Sequence, residues 1–463
     1  MDSQKKDPAW LALPMEEWLT SAASDDRLVA WSRTQQWCQG DFRRDVSRLT
    51  QSLQTQPPSR WALCFTDSYY FAVALLAVLH SGNTPVLPGH QRQSLLAEQQ
   101  GEFDALLTDD DILALSCPIL RLPAEILPVR PASPAALPAF APNAVLVLFT
   151  SGSTGKPQKV LKTVASLQTE SQWLAENWGE MLRDSRVVAT VSAQHMYGLT
   201  FRLILPLALG LPFYSQTLEA HEQLVFMANQ YPLMLVSSPA FLQRLDDKLP
   251  PIHCRQIFSA GGPLAASEAA RIRQLCGEYP TDIYGTTETG VIASRQQRQA
   301  ATPWTLFAGV ELQQQTQQQI RVISGLIPQP AGVELSDNLA LLADGRQFHL
   351  LGRKDRIVKI AEQRLSLDEI EMRLCQLPQV QEACVLTIDK QGRTYIAAAI
   401  VLSSRGLAQR QRQSQTVLTA GLRQALRPWL APVAVPRFWR LLPAIPRNQQ
   451  GKRSYAELQE LFL

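Results

Sequence analysis

The sequence has no C-x-x-C pair, and its seven cysteines are odd in number and widely spaced. That argues against a disulfide framework and against structural zinc. Net charge is small as well: 44 Lys and Arg against 41 Asp and Glu leave +3, with the basic residues scattered. A nucleic-acid or membrane-surface partner needs concentrated positive charge, so neither is expected. Long apolar runs are also missing. The opening MDSQKKDPAWLALP lacks the core of a signal peptide. The best spanning candidate, Leu199 to Tyr214, is short and broken by Arg202 and two prolines. No internal repeat, nucleophilic triad or metal-hydrolysis motif is evident. What remains is 463 residues, 46% hydrophobic and 18% charged. That is the profile of a globular protein of roughly two to four domains, expected to be soluble and cytoplasmic.

The most informative stretch is VLVLFTSGSTGKPQKVLKT, Val145 to Thr163. An apolar, β-branched run reads as a buried strand and breaks abruptly into residues drawn only from Thr, Ser, Gly and Lys. Glycines in such a loop permit positive φ, so successive backbone N–H groups can form an anion-binding nest. Thr150, Ser151, Ser153 and Thr154 add hydroxyls around Gly152 and Gly155. Phosphate is the natural guest. A Walker loop cannot be fitted, because Gly152 and Gly155 are too close. Downstream, IYGTTETG (Ile283 to Gly290) again runs a strand into a Thr/Gly turn, now with Glu288. Hydroxyls with one carboxylate suit a Mg²⁺-nucleotide, since Mg²⁺ keeps several waters and takes one or two carboxylates. Tyr284 offers a flat face for a purine.

Together these strings resemble the adenylate-forming superfamily of acyl- and aryl-CoA synthetases, peptide-synthetase adenylation domains and luciferases. The first resembles its phosphate signature T-S-G-[ST]-T-G-x-P-K-G. It departs where the family's Lys-Gly is Gln158-Lys159, leaving Lys159 or Lys162 to supply the displaced charge. By the same resemblance Tyr284 stacks on adenine, Thr287 contacts the α-phosphate and Glu288 holds the metal. Gly261 and Gly262, in AGGPL, resemble the adenine-contacting turn, and His195, in SAQHMYGL, stands at the carboxylate site. Asp337, in ELSDNLALL, aligns with the ribose-binding Asp of T-G-D, although Thr-Gly is here Leu335-Ser336.

LGRKDRIVKIAEQRLSLDEIE, from Leu351, resembles the interdomain segment of that superfamily. It implies that Arg353 contacts ribose or phosphate, that Asp355 is a hinge, and that Lys359 serves thioester formation. Glu362 replaces the family's glycine. A lysine in a C-terminal loop is ordinarily a solvated charge. In IPRNQQGKR, Lys452 instead resembles the catalytic lysine that bridges the substrate carboxylate and α-phosphate.

The resemblance implies an α/β protein. Its large N-terminal domain, 1–353, would carry mostly parallel sheets covered by helices, and its small mobile α+β domain, 354–463, would carry Lys452. It implies ATP and Mg²⁺, a small carboxylic acid, and coenzyme A or a phosphopantetheine arm, with an acyl carrier protein as a possible partner. The acid would be acyl or aryl rather than an amino acid. Two other readings stand beside this acid–thiol ligase: an adenylating enzyme with an amine or oxygen acceptor, and a degenerate nucleotide-binding homologue. Among the remaining elements, a helix is expected over Ser68 to His80 and another from Val164 to Leu182. Helical patterns are read over residues 1 to 60, and the Gln-rich tracts from Arg295, Gln313 and Gln409 are expected on exposed loops or strands.

Overall fold

The computed structural model describes residues 12–20, 23–57, 59–112, 115–124, 137–141, 143–151, 157–316, 319–353, 356–360, 363–390, 393–447 and 453–463. Gly152, Ser153, Thr154, Gly155, Asp355, Glu362 and Lys452 lie outside the described residues. So do residues 391–392 and 448–451 and much of the Pro/Ala-rich sequence from Arg130 to Pro142. Thr150, Ser151, Arg353 and Lys359 are placed by their backbone alone. Two compact units divide the chain, Met1–Gln313 with Val322–Val333, and Gln314–Arg321 with Glu334–Leu463.

In the first unit the strands are Leu28–Trp31 (β1), Gln36–Cys38 (β2), Arg60–Cys64 (β3), Thr84–Leu87 (β4), Ala105–Thr108 (β5), Ile119–Arg121 (β6), Val145–Ser151 (β7) and Pro157–Thr163 (β8). Then follow Arg186–Ala189 (β9), Phe213–Tyr214 (β10), Leu233–Ser237 (β11), Cys254–Ser259 (β12), Thr281–Thr286 (β13), Gly290–Gln296 (β14) and Trp304–Leu306 (β15). One sheet has the order β6-β5-β3-β4-β7-β8, parallel except for the β7–β8 pair. The other runs β15-β14-β13-β12-β11-β9-β10-β1-β2, parallel from β13 to β1 and antiparallel at both ends. Parallel strands covered on both faces read as continuous apolar runs. Trp61 to Cys64 and Leu233 to Val236 are such runs, all buried.

The helix Ser68–His80 is apolar all round and almost wholly buried, with Asp67 capping it by accepting from the amides of Tyr69 and Tyr70. Residues 1 to 60 depart from the helical reading. β1 and β2 precede the helix Gln39–Gln54, and strands this short carry too few alternations to register against a helical period. The helix after β8 ends at Trp178 rather than Leu182.

Strands Val310–Thr316, Gln319–Ser324 and Val333–Glu334 (β16–β18) contain the points of division between the units. The second unit holds the hairpins Asp337–Leu341 with Gln347–Arg353 (β19, β20) and Ile357–Ile360 with Gln363–Ser366 (β21, β22). It also holds a sheet of Val380–Lys390, Arg393–Leu402 and Phe438–Leu441 (β23–β25). Along β24, Ile396, Ala398 and Ile400 join one core while Ala397 and Ala399 join another. This period of two is what a strand with both faces covered requires. The domain boundary read at 353/354 stands as a proposal.

The Gln-rich tracts split three ways. Gln313 to Gln315 are exposed on β16 as expected. The tract from Gln409 falls largely on a helix, Ser404–Arg412, rather than on a loop or strand. Gln297 is buried, and its amide donates to the Asp282 carboxylate at 2.8 Å. Composition alone gives no sign that one glutamine of a polar run closes a buried hydrogen-bond network.

Candidate active site

The first unit sets its candidate residues at the carboxyl ends of strands, where open α/β sheets bind ligands. β12 ends at Ser259 and leads into Ala260-Gly261-Gly262. Gly261 has φ +91°, and a Cβ placed on it would meet nothing within 4 Å. The turn is thus bent by its glycine and open above it. Next to β12, in parallel register, β13 carries Tyr284, whose ring centroid lies 5.6 Å from that of Trp304. Arg295 stacks on the far member of this pair, 4.3 Å from the Trp304 ring, and pairs with Asp282 at 3.2 Å. Burial pushes the Asp282 carboxyl up to about 6, although Arg295 opposes the shift. The Tyr284 ring is therefore backed by a braced aromatic and cationic stack.

β13 passes into β14 through a turn containing Thr287 and Glu288, both half-buried. Thr289 pins it, with its hydroxyl accepting from the Thr286 amide at 3.1 Å. Gly290 has φ +70°, and a Cβ there would fall 2.6 Å from Glu170 Oε1 and 2.9 Å from Leu326 Cδ1. Only glycine fits both the backbone conformation and the space. We expect Gly290→Ala to destabilise the protein by about 1 to 3 kcal/mol, measurable as a lowered Tm.

His195 caps the short helix Met196–Gly198 with extended backbone and is half-buried. Its segment is held from three sides. Gln194 donates to the Phe65 carbonyl at 2.5 Å. Gly198 packs so closely that a Cβ would lie 1.9 Å from the Ser192 carbonyl oxygen. Arg202, fully buried, donates to the carbonyls of Val191 at 2.7 Å and Ser215 at 3.0 Å. Burial lowers the Arg202 pKa to about 10, with Asp67 acting against the fall. Arg202 was noted in the sequence only as an interruption of an apolar run; its work is to tie the strand end ahead of His195 to the end of β10.

Neither lysine named for the displaced phosphate-loop charge is a free cation. Lys159 pairs with Glu102 at 3.0 Å on the surface. Lys162 is buried, donating to the Glu288 carbonyl at 3.0 Å and the Leu326 carbonyl at 3.4 Å. β8 therefore reaches the Glu288 turn directly. Among the described residues no three His, Cys, Asp or Glu side chains converge into a metal cage. A single half-buried carboxylate among hydroxyls suits Mg²⁺ that arrives on a nucleotide, and does not suit a resident metal held by protein alone.

In the second unit, Asp337 on β19 is the cross-strand partner of Arg353 on β20, so the two residues assigned to ribose are opposite one another. Lys359 on β21 is opposite Arg364 on β22. The loop that carries Lys452 leaves and re-enters through an antiparallel bridge between Arg447 and Arg453. Arg447 pairs with Glu382 at 2.5 Å, and Arg453 with Glu371 at 2.6 Å. Glu371 also accepts from the Val385 amide at 2.7 Å and pairs with Arg356. Arg356 in turn pairs with Asp368 and donates to the Tyr455 hydroxyl at 2.8 Å. Sequence reading found the segment Leu351 to Glu371 but not this network, because partners far apart in the chain leave no local spacing to detect.

The profile of the AMP-binding enzyme family matches residues 16–323, and that of the AMP-binding enzyme C-terminal domain matches 369–452. A 4-coumarate–CoA ligase of Cereibacter sphaeroides is 27% identical over 262 residues, covering 56% of this chain and 60% of that protein. Enterobactin synthase component F of Shigella flexneri is 23% identical over 479 residues, covering 88% of this chain and 36% of that protein. The chain thus spans 60% and 36% of the length of these relatives. The fold of ATP-bound MatB from Rhodopseudomonas palustris superposes with a TM-score of 0.82 at 18% identity, covering 98% of this chain and 99% of the other. No helix among the described residues is long and apolar enough to cross a membrane. With a family profile over most of its length and a second over its C-terminal region, the chain belongs to the AMP-binding enzyme family, the adenylate-forming superfamily its motifs resemble.

Proposed function

We propose that the protein activates an acyl or aryl carboxylic acid with ATP and passes it to a pantetheine thiol, on coenzyme A or an acyl carrier protein. A carboxylate oxygen bonds to the α-phosphorus of ATP as the bond to pyrophosphate breaks, giving an acyl-adenylate. The thiol then bonds to the acyl carbon, loses its proton and expels AMP. Both reactants of the first half are anionic, so the protein must supply fixed donors and cations where negative charge builds.

The observation that carries this reading is the bond from Lys162 to the Glu288 carbonyl, which joins the β7–β8 hairpin to the Thr287-Glu288 turn, on the strand beside the one that ends in Gly261-Gly262. In the proposal, amides and hydroxyls of Thr150 to Gly155 hold the phosphates, Thr287 contacts the α-phosphate and Tyr284 stacks on adenine. Asp337 and Arg353 hold ribose, His195 faces the acid, and Glu288 would hold Mg²⁺, which supplies charge neutralisation on the phosphate oxygens. Lys452 serves the first half-reaction and Lys359 the second, with the hinge at Asp355.

The test is ATP–pyrophosphate exchange with Mg²⁺ against fatty, aryl, cinnamyl and amino acids. Exchange with one class names the substrate; silence across the panel with ATP still bound sinks the reading in favour of a degenerate binder. Thiol-dependent AMP release distinguishes a thioester product from an amide or ester. We expect Lys359→Ala to slow that release about tenfold, equivalent to about 1.4 kcal/mol of barrier, while exchange is unchanged. Equal loss of both half-reactions would refute its assignment to the second.

A further inference from the structure

β8 folds against its own hydropathy. Lys162 is 1% exposed while its neighbour Leu161 is 49% exposed. Side chains along a strand alternate faces, so Lys162 shares its inward face with half-buried Val160 while Leu161 and Lys159 face outward. The strand thus spends a buried position on a charge.

A second charge is buried beside it. Glu170 stands in the inward stripe of the helix Val164–Trp178, between Leu167 and Leu174, and is 2% exposed. Its Oε1 accepts from the Val291 amide at 2.7 Å and its Oε2 from the Thr200 hydroxyl at 2.8 Å. Burial pulls the Lys162 pKa down and pushes the Glu170 carboxyl up, and the attraction between the two opposes both shifts. Taking two ions out of water costs several kcal/mol each, and well-packed apolar side chains would commonly hold a fold as well or better. Filling space does not explain this pair.

What the pair touches does. Lys162 Nζ holds the carbonyl of Glu288, and Glu170 Oε1 holds the amide of Val291, three residues later. The backbone on either side of Gly290 is thus gripped from beneath by opposite charges, each matched to the polarity of the group it binds. Gly290 lacks the Cβ that would collide with the Glu170 carboxylate. The cation comes from the strand that follows the phosphate loop, so one side chain connects that loop to the turn bearing Thr287 and Glu288.

We propose that Lys162 and Glu170 are a positioning pair that fixes the Thr286–Gly290 backbone so that Glu288 and Thr287 meet the magnesium-bound nucleotide in register. This rests on the adenylation reading above. Neither side chain is a catalytic residue; both act through the turn. Partners one shell away from a metal ligand typically alter metal affinity or activity by about 10- to 100-fold when removed.

The test compares the intact protein with Lys162→Met, Glu170→Gln, the double variant, and Thr200→Val, which removes only the hydroxyl that holds Glu170. Calorimetry measures ATP affinity with Mg²⁺ and with chelator; thermal unfolding without ligand measures stability. In the double variant no unpaired charge is left buried. We expect its Tm within a few degrees of the parent, with the gain in ATP affinity on adding Mg²⁺ reduced about 10-fold or more. Affinity in chelator stays at the parental value. Thr200→Val gives a smaller loss of the same kind, and decides the question if the double variant fails to fold. A stable double variant, or Thr200→Val in its place, with the full parental gain overturns the proposal. A parent that shows no gain with Mg²⁺ overturns the adenylation reading and the role of the pair with it.

Discussion

We expect Lys452→Ala to lower the rate of ATP–pyrophosphate exchange by about 10²–10³ and to leave ATP binding in place. The size follows from the charge balance of the proposed reaction. A carboxylate approaches a triphosphate, and each fixed cation or donor aimed at the developing charge is worth as much as one oxyanion donor. The surroundings make the experiment interpretable. The loop is closed at its base by the Arg447–Arg453 bridge, and both arginines are anchored to acids of the second unit, Glu382 and Glu371. Replacing a loop side chain between those anchors removes a charge without removing the clamp, so Tm stays near that of the parent. Exchange within threefold of the parent, with the acid saturating, would remove Lys452 from the chemistry.

The sequence showed this site as motifs and hid the contacts that support it. Local strings were readable because each combines an apolar strand with a glycine turn, as in Ile283 to Gly290. The buried helix Ser68–His80 was readable because it is apolar all round and is followed by a Ser-Gly turn. Lys162 could be read only as a loop-side cation, because a lysine next to a leucine in a strand ordinarily faces water. Its burial becomes apparent only when the register of the β7–β8 hairpin sets Lys162 opposite Leu146 and Leu161 opposite Val147. Glu170 left one local trace, a carboxylate on an otherwise apolar helical stripe. Arg202 left a similar trace within an apolar run. For Glu170 and Arg202 the informative signal was a charge where periodicity called for an apolar residue, and such local conflicts tend to mark sites where fold and function compete. The short strands β1 and β2 left no comparable trace.

The other large effect concerns stability rather than rate. Glu371→Ala should destabilise the second unit by about 3 to 5 kcal/mol, the usual cost of removing one partner from a buried ion pair. Glu371 accepts from Val385 N at 2.7 Å, pairs with Arg453 at 2.6 Å and also pairs with Arg356. The side chains of Glu371 and Arg356 are 13% and 12% exposed, and that of Arg453 is 19% exposed, so solvent can replace little of what is lost. Arg356 would keep Asp368, and Arg453, among the described residues' ion pairs, would keep Glu382 at 3.7 Å. Burial works against the Arg453 charge and Glu371 is the main group that opposes it, which makes Arg453 the more exposed to the loss. For a unit of this size, 3 to 5 kcal/mol corresponds to a fall in Tm of about 10 °C or more. The expected signature is an early calorimetric transition, with proteolysis starting in the second unit while the first stays intact. Because Arg453 forms the base of the Lys452 loop, exchange should fall along with stability even below the new transition. A variant that melts within 2 °C of the parent (about 1 kcal/mol or less) would show that the network is solvated in practice, and that the Arg453–Glu371 pair is not needed to anchor the Lys452 loop.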